Sequence, residues 1–316
     1  MKREDGGTAL GFSLCHDHQR RVMLRALESG SLTTLVCVAA ASQRTGRVRC
    51  RKRALVLSVV ATCIIIGCAQ TPIEHTEALA REAGASIGVV AGAEFDHVVF
   101  SHNLNGQAQT LHIYFSGDGT PWIHRTEIAR DPTPRNPMDL QLMLSDPSPS
   151  IYLGRPCYLG LATASGCTPA LWTVARYSSA IVDSMVAAVQ RVIDESQATE
   201  IVLFGYSGGG VLALLVANRV PRINTVVTVG ANLDVDAWTT LHGYSPLSQS
   251  LSPIDVTSWR DSLRQIHLVG ADDRNVTPMI VWRFARSRPE VEVRVIPGFD
   301  HRCCWVDAWP TILRSF

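Results

Sequence analysis

Residues 199 to 220 read TEIVLFGYSGGGVLALLVANRV, an apolar run that is interrupted in its middle by glycines. Ile201 to Phe204 are apolar in succession, which is typical of a buried strand. After the glycines the apolar residues recur at helical spacing, at Leu212, Leu215, Val216 and Val220. The pattern therefore predicts a strand and then a helix, with Ser207 in the turn between them.

A sharp strand-to-helix turn gives a serine a chemical use. The serine backbone is strained there, the hydroxyl points away from the sheet, and the residues two positions to either side must be small. Gly205 and Gly209 meet that requirement. A helix that begins at Gly208 also directs free amide N–H groups toward the place where the oxyanion of an acyl transfer develops. Ser207 is therefore predicted as a nucleophile and Gly208 as one oxyanion donor.

This stretch resembles the nucleophile elbow of the α/β-hydrolase superfamily. The resemblance implies that an acid and then a histidine follow the serine along the chain. It also implies the fold of that superfamily, with a mostly parallel central sheet and helices on both faces. The alternation of predicted strands and helices along the rest of the domain independently favours the same α/β architecture.

Two later segments match the positions at which the superfamily carries its acid and its histidine. Residues 270 to 276 resemble the acid loop, and the register of that loop selects Asp273. Asp272 and Asp234 stay open as alternatives, because aspartates also cap helices and some superfamily members carry the acid earlier in the chain. His301 follows the last predicted strand by a short loop and precedes the terminal helix, which is the place of the general base.

A glycine-rich loop, SGDGTPW at residues 116 to 122, follows an early predicted strand. The superfamily places the second half of its oxyanion hole after an early strand, so the resemblance implies that Asp118 or Gly119 donates its backbone N–H there. The loop lacks the HGGG form, and SGDG is also good turn chemistry without any catalytic part.

Further elements are predicted from periodicity and turn residues. A hairpin-like turn, NLNGQAQ, is expected between the first two strands, and residues 231 to 264 are expected to act as a cap over the pocket, as insertions at this place do in the superfamily. The predicted strands are 95–101, 110–115, 150–154, 201–204, 225–230, 265–270 and 291–296, and the predicted helices are 137–144, 179–193 and 278–286.

The N-terminal part carries signs of export. Five basic residues between Arg47 and Arg53 precede the apolar run ALVLSVVATCIIIGC, which has the length of a signal-peptide core and ends at Cys68. The ending resembles the lipobox of bacterial lipoproteins, which implies a lipid on Cys68 and an anchored protein in the bacterial cell envelope, on the periplasmic or outer-membrane side. A buried core helix is the alternative. The signal begins far from Met1, which favours a start of translation near Val48 or at another non-Met start.

The domain organisation follows from these segments. Residues 1–46 are a leader of doubtful status, 47–68 the lipoprotein-type signal segment, 69–85 a tether or short surface helix, and 86–316 the α/β-hydrolase domain. The chain has 316 residues of which 46% are hydrophobic, enough for a sizeable core. Its formal net charge of +1 argues against a nucleic-acid partner.

Four cysteines follow Cys68, and an exported domain permits them to form disulfides. Cys157 and Cys167 are ten residues apart and are predicted to be joined. Cys303 and Cys304 are expected to bridge each other or to pair elsewhere. A thiol nucleophile would need no elbow at Ser207, and a metal site at His301, Cys303 and Cys304 would lack recognisable paired ligand spacing, so neither alternative is favoured. No metal and no cofactor are expected.

These residues predict a serine hydrolase that works through an acyl-enzyme and acts on a small-molecule or lipid-like carboxylic ester. Peptidases and acyltransferases use the same three residues, so they remain alternatives within acyl transfer. A surface-anchored binding lipoprotein that keeps the fold without catalysis is the alternative from another class.

Overall fold

The computed structural model describes residues 70–104 and 109–316. The predicted leader, the predicted signal segment and Cys68, the predicted site of lipid attachment, lie outside the described residues, as does the middle of the predicted NLNGQAQ turn. Among the residues that are described, no helix is both long enough and apolar enough to cross a membrane.

An eight-stranded sheet forms the centre of the described region, in the order β1-β2-β6-β3-β7-β8-β9-β10. The six neighbouring strands β6, β3, β7, β8, β9 and β10 run parallel to one another, while β2 is antiparallel to β6 and to β1. The strands are β1 (Ser86–Ala91), β2 (Asp96–His102), β3 (Thr110–Phe115), β6 (Ser150–Leu153), β7 (Glu200–Tyr206), β8 (Ile223–Val229), β9 (Arg264–Gly270) and β10 (Glu292–Ile296), and β4 (Trp122–Ile123) pairs with β5 (Glu127–Ile128) in a separate small hairpin.

Helices cover both faces of this sheet. Successive strand residues alternate between two core clusters, as the pleat of a strand requires: Ile113 of β3 belongs to one cluster and Tyr114 to the other. The helices α3, α4 and α6 supply the first cluster, and α1, α2 and α7 supply the second. The helices are α1 (Pro72–Glu82), α2 (Met138–Leu144), α3 (Ser179–Ser196), α4 (Gly208–Ala217), α5 (Val235–His242), α6 (Pro278–Ala285) and α7 (Trp305–Leu313).

One local prediction is wrong, namely the hairpin between β2 and β3, because β6 lies between these two strands and pairs with both. For the segment before β1, where the sequence left a tether and a short surface helix open, residues 72–82 form the helix α1. Thr71 caps α1 through a reciprocal hydrogen-bonded box with Glu74, and Ala80 is buried in the second core cluster. The segment therefore belongs to the domain.

The insertion at residues 231–264 forms one wall of the cleft above the sheet. It contains α5, a loop and a short 3₁₀-helix (Pro253–Asp255). Trp238, Tyr244 and Leu247 from this insertion line the cleft, so it is cap-like, as the sequence predicts. His242 at the end of α5 lies 2.7 Å from the carbonyl oxygen of Asn275, which ties the cap to the loop after β9.

Candidate active site

Ser207 occupies the turn between β7 and α4. Its backbone has φ 52° and ψ −125°, a conformation that costs free energy in a residue with a side chain. The Ser207 N–H donates to the carbonyl of Val229 on the neighbouring strand at 2.9 Å, which helps to hold the strained turn in place.

Close packing around the turn explains the flanking glycines. A Cβ atom on Gly205 would lie 2.4 Å from the carbonyl oxygen of Gly209, and one on Gly209 would lie 2.5 Å from the carbonyl oxygen of Phe115. Both distances are too short for real atoms, so any side chain would move α4 off the sheet. The G-x-S-x-G spacing thus reflects a packing requirement of the elbow.

Ser207, His301 and Asp273 lie in one hydrogen-bonded row. Nε2 of His301 is 3.2 Å from Oγ of Ser207, and Nδ1 of His301 is 2.8 Å from Oδ2 of Asp273. The other carboxylate oxygen of Asp273 accepts the N–H groups of Asn275 and Val276 at 2.8 Å each. The buried Asp273 side chain is therefore fixed on both oxygens, and it orients the imidazole with Nε2 toward the serine.

The two alternative acids lie elsewhere. Asp234 caps α5 by accepting the N–H of Ala237, and its other oxygen is 2.7 Å from Nε of Arg283. Asp272 is exposed at the surface. Neither carboxylate contacts His301, so the structure brings only Asp273 of the three to the imidazole.

Two further residues hold His301, and neither was predicted from the sequence. The Asn275 side-chain amide donates to Nε2 of His301 at 2.9 Å, so the serine hydroxyl and this amide face the same nitrogen. The Tyr206 hydroxyl donates to the carbonyl of His301 at 2.8 Å. The positions of these residues, beside the serine and two residues after the acid, were the only signals that the sequence offered.

Backbone N–H groups face the cleft near Ser207. Gly208 is the first residue of α4, so its N–H has no carbonyl partner four residues back inside the helix. In the loop after β3, Gly117 N–H donates to Asp139 at 2.5 Å and Thr120 N–H donates to Pro132 at 2.8 Å. Within the described part of the chain the N–H groups of Asp118 and Gly119 have no protein acceptor, and both residues line the cleft.

The side chain of Asp118 is the centre of a buried ionic cluster, which we call the Asp118 cluster and define as Asp118, Arg155, Arg176 and Tyr177. Its carboxylate accepts from Arg155 at 2.6 Å, from Arg176 at 3.0 Å and from the Tyr177 hydroxyl at 2.7 Å. Burial raises the pKa of Asp118, but the charges of Arg176 and Arg155 outweigh burial and lower this pKa overall. Asp118 is therefore an anion held between two cations.

The cluster positions the oxyanion side of the site. A Cβ atom on Gly208 would lie 2.1 Å from Oδ1 of Asp118, so the carboxylate packs directly against the first residue of α4. The Tyr158 hydroxyl also donates to the Asp118 carbonyl at 3.0 Å. The backbone N–H of Asp118 was one of two predicted oxyanion donors, but the partners of its side chain were not predicted, since isolated arginines and tyrosines form no motif.

A cleft of about 780 Å³ opens above Ser207 and His301. Its apolar lining includes Met138 and Leu247 together with the partly exposed rings of Trp122 and Tyr244. A volume of this size accommodates a small organic substrate.

The cysteines are joined in two pairs. Cys157 and Cys167 form the predicted disulfide, with their Cα atoms 5.6 Å apart. Cys303 and Cys304 are bonded to each other, so neither sulfur is a free thiol for nucleophilic attack or metal binding beside His301. In residues 70–104 and 109–316 no cluster of His, Cys, Asp and Glu has a geometry suited to a metal ion.

Comparison with known proteins shows the fold. No family model and no curated protein sequence matches this chain. An esterase from Pyrococcus furiosus has a TM-score of 0.53 at 14% identity, covering 79% of this chain and 92% of the esterase. Puromycin hydrolase has a TM-score of 0.50 at 14% identity, covering 73% of this chain but 38% of that protein. A Xanthomonas campestris protein described as an α/β serine hydrolase without lid has a TM-score of 0.48 at 11% identity, covering 73% and 94% of the two chains. The chain has the α/β-hydrolase fold that its sequence predicts.

Proposed function

We propose that this protein is a serine hydrolase that cleaves carboxylic esters through an acyl-enzyme on Ser207. The observation that carries the proposal is the hydrogen-bonded row from Ser207 through His301 to Asp273 at 3.2 and 2.8 Å. A serine hydroxyl is a weak nucleophile by itself, and a base within hydrogen-bond reach that is oriented by a third group activates it.

The first half of the reaction forms the acyl-enzyme. Nε2 of His301 takes the hydroxyl proton as Oγ of Ser207 attacks the ester carbon, and the carboxylate of Asp273 stabilises the resulting imidazolium. The carbonyl oxygen becomes an oxyanion and accepts hydrogen bonds from the backbone N–H groups of Gly208 and of Asp118 or Gly119. Nε2 then gives its proton to the leaving alcohol, and the carbonyl re-forms on the serine.

The second half repeats these steps with water. Nε2 of His301 takes a proton from the water as its oxygen attacks the acyl carbon, and the same N–H groups hold the second oxyanion. The bond to Oγ of Ser207 then breaks, Oγ recovers a proton from Nε2, and the carboxylic acid leaves.

An ester is favoured over other acyl substrates by the comparison with the Pyrococcus furiosus protein, whose name describes an esterase and whose length is almost entirely matched. The test is a screen of the full chain against ester, amide and thioester substrates, with Ser207→Ala as the control. We expect hydrolysis of esters that is absent from the variant. Equal turnover by both proteins would contradict the proposal. Turnover of amides alone would indicate a peptidase instead of an esterase.

We also propose that the enzyme is exported and anchored to a membrane of the bacterial envelope through lipid on Cys68. The support is the sequence of residues 47 to 68, and the Cys157–Cys167 disulfide is in keeping with an oxidising compartment. Metabolic labelling with a fatty acid should mark the wild-type protein and spare Cys68→Ser. Equal labelling of both proteins would rule the anchor out.

A further inference from the structure

Positive charge collects around the cleft. Four arginines and two aspartates contribute to its lining: Arg125, Arg135, Arg176, Arg302, Asp118 and Asp139. The chain as a whole is almost balanced, with 29 Lys and Arg residues against 28 Asp and Glu residues. The excess at the cleft is therefore a local property and does not follow from the composition.

The two aspartates do not neutralise this excess. Asp118 is engaged by Arg176 and by Arg155, which lies behind the cleft wall. Asp139 is buried and binds the backbone N–H of Gly117, and burial raises its pKa to about 6, so it carries less than a full charge near that pH. Because Arg155 and Arg176 both pair with Asp118, its negative charge is balanced by them and does not offset the other arginines of the cleft.

The remaining three arginines are exposed at the rim of the cleft. They come from three separate segments: Arg125 from the turn between β4 and β5, Arg135 from the loop before α2, and Arg302 from the loop that carries His301. In the described part of the chain no ion pair forms on Arg125, Arg135 or Arg302. The carboxylate of Asp300 accepts the backbone N–H groups of Cys303 and Arg302, which lower its pKa, and the charge of Arg302 contributes to lowering this pKa, but Asp300 does not line the cleft.

Exposed arginines often do no more than interact with solvent. Arginines from three segments that line one concave site have a further effect. A cleft lined by one sign of charge focuses the field and raises the local concentration of counter-ions. Guanidinium groups bind carboxylates and phosphates through paired hydrogen bonds. The exposed rings of Trp122 and Tyr244 offer apolar surface to a hydrocarbon portion beside that charge.

We propose that the substrate is an ester that carries an anionic group, a carboxylate or a phosphate, at a distance from the scissile bond. This inference rests on the proposed ester hydrolysis at Ser207. The arginine rim binds the anionic group, and the aromatic and apolar lining of the cleft binds the rest of the molecule.

Two matched pairs of esters test this inference on the full chain. In the first pair the charge is on the acyl side: para-nitrophenyl hydrogen adipate is compared with para-nitrophenyl methyl adipate. In the second pair it is on the alcohol side: para-carboxyphenyl butyrate is compared with its para-methoxycarbonyl analogue. We expect kcat/KM to favour the anionic member of at least one pair by about tenfold at low ionic strength, and the preference to shrink at high ionic strength.

The result that would overturn the inference is equal or faster turnover of the neutral ester in both pairs at low ionic strength. Competition by acetate and by inorganic phosphate distinguishes the two anionic groups, since the stronger inhibitor identifies the chemistry that the rim prefers. If neither anion inhibits and kcat/KM shows no preference for the anionic esters, the inference is overturned as well.

Variants separate the rim from a general charge effect. Arg125→Gln together with Arg135→Gln should reduce the ratio of anionic to neutral turnover to near one. Arg191→Gln is the matched control, because Arg191 is exposed on α3 and does not line the cleft. A ratio that falls equally in the control, or that persists in the double variant, would contradict the assignment.

Binding of the esters to the Ser207→Ala variant distinguishes a failure of this inference from a failure of the proposed ester hydrolysis. If the wild-type protein hydrolyses neither pair, the ester hydrolysis fails, and the same four compounds are titrated calorimetrically against the variant. Tighter binding of the anionic member, lost in the double arginine variant, would support the charge selection by itself. Equal binding of the charged and neutral members would overturn it.

Discussion

The two sides of Ser207 are built in different ways. On one side, Asp273 and His301 follow β9 and β10, and hydrogen bonds of 2.8 and 3.2 Å join Asp273 to His301 and His301 to the serine. On the other side, Asp118 follows β3 and is held by buried arginines from distant parts of the chain. The first side uses hydrogen bonds at the ends of neighbouring parallel strands, and the second uses buried charge.

The difference decides what each side contributes. A group that exchanges protons during catalysis must change its charge, so it needs partners that tolerate both states. A group that only holds a loop can be permanently charged, provided that its counter-ions are buried with it. We therefore expect losses on the acid and histidine side to reduce catalysis, and losses in the Asp118 cluster to reduce stability as well.

Removal of the nucleophile or the base is the largest expected effect. Ser207→Ala and His301→Ala should each lower kcat for a chromogenic short-chain ester by about 10⁴ to 10⁶-fold, and the double variant should lose little more, because these residues act as a unit. Thermal unfolding curves of the variants should match the wild type. If the losses in kcat were additive in the double variant, the prediction that Ser207 and His301 act as a unit would be wrong.

Asp273→Asn comes next, with an expected loss in kcat of about 10³ to 10⁴-fold, because the amide no longer fixes and stabilises the imidazolium. Asp272→Asn and Asp234→Asn are matched controls that should retain most activity, since neither carboxylate contacts His301 and asparagine still caps a helix. Steady-state kinetics on the same ester measure all three. A control as impaired as Asp273→Asn would reassign the acid.

On the other side, Asp118→Asn leaves Arg155 and Arg176 buried without their counter-charge. The free energy of unfolding should fall by about 3 to 5 kcal/mol in a urea titration, and activity should fall with it. Asp183→Asn is the control, because Asp183 pairs with Arg219 at 2.6 Å on the surface, where a pair contributes about 1 kcal/mol or less. Equal stability losses in the two variants would remove the contrast between buried and exposed charge.

Stability is also expected to depend on pH. Burial lowers the pKa of His97 to about 4 and that of His267 to about 3, below the ordinary value of 6.5. The unfolded chain therefore binds more protons than the folded one below pH 6.5, and stability falls on acidification by up to about 1.4 kcal/mol per pH unit for each histidine.

Asp139, on the oxyanion side, acts with the opposite sign. Burial raises its pKa from 3.8 to about 6, so the folded chain binds the extra proton in this window and its contribution to stability is lost as the pH rises through 6. Asp139→Asn removes this contribution, so urea unfolding at a series of pH values should show a steeper loss between pH 6 and 4 than in the wild type. An unchanged slope would contradict the assignment.

The two sides also differ in what their sequence revealed. Ser207, Asp273 and His301 were predicted because the glycine spacing and the loops that follow successive strands along the chain are local patterns that resemble those of the superfamily, and parallel strands bring their carboxyl ends to one edge of the sheet. Arg155, Arg176 and Tyr177 were missed because their pairing with Asp118 depends on contacts across 37 to 59 residues. The antiparallel strand β1 was missed too, and β6 was found without its place between β2 and β3, since strand order along a sheet is not a local property.

Covalent labelling tests most directly whether Ser207 is an activated nucleophile. A fluorophosphonate reacts with a serine hydroxyl only when a neighbouring base activates it. After incubation of the full chain, mass spectrometry of the peptides should find one adduct on Ser207, with none on Ser207→Ala and strongly slowed labelling of His301→Ala. A folded wild-type protein that remains unlabelled, or that is labelled as fast without His301, would contradict the account.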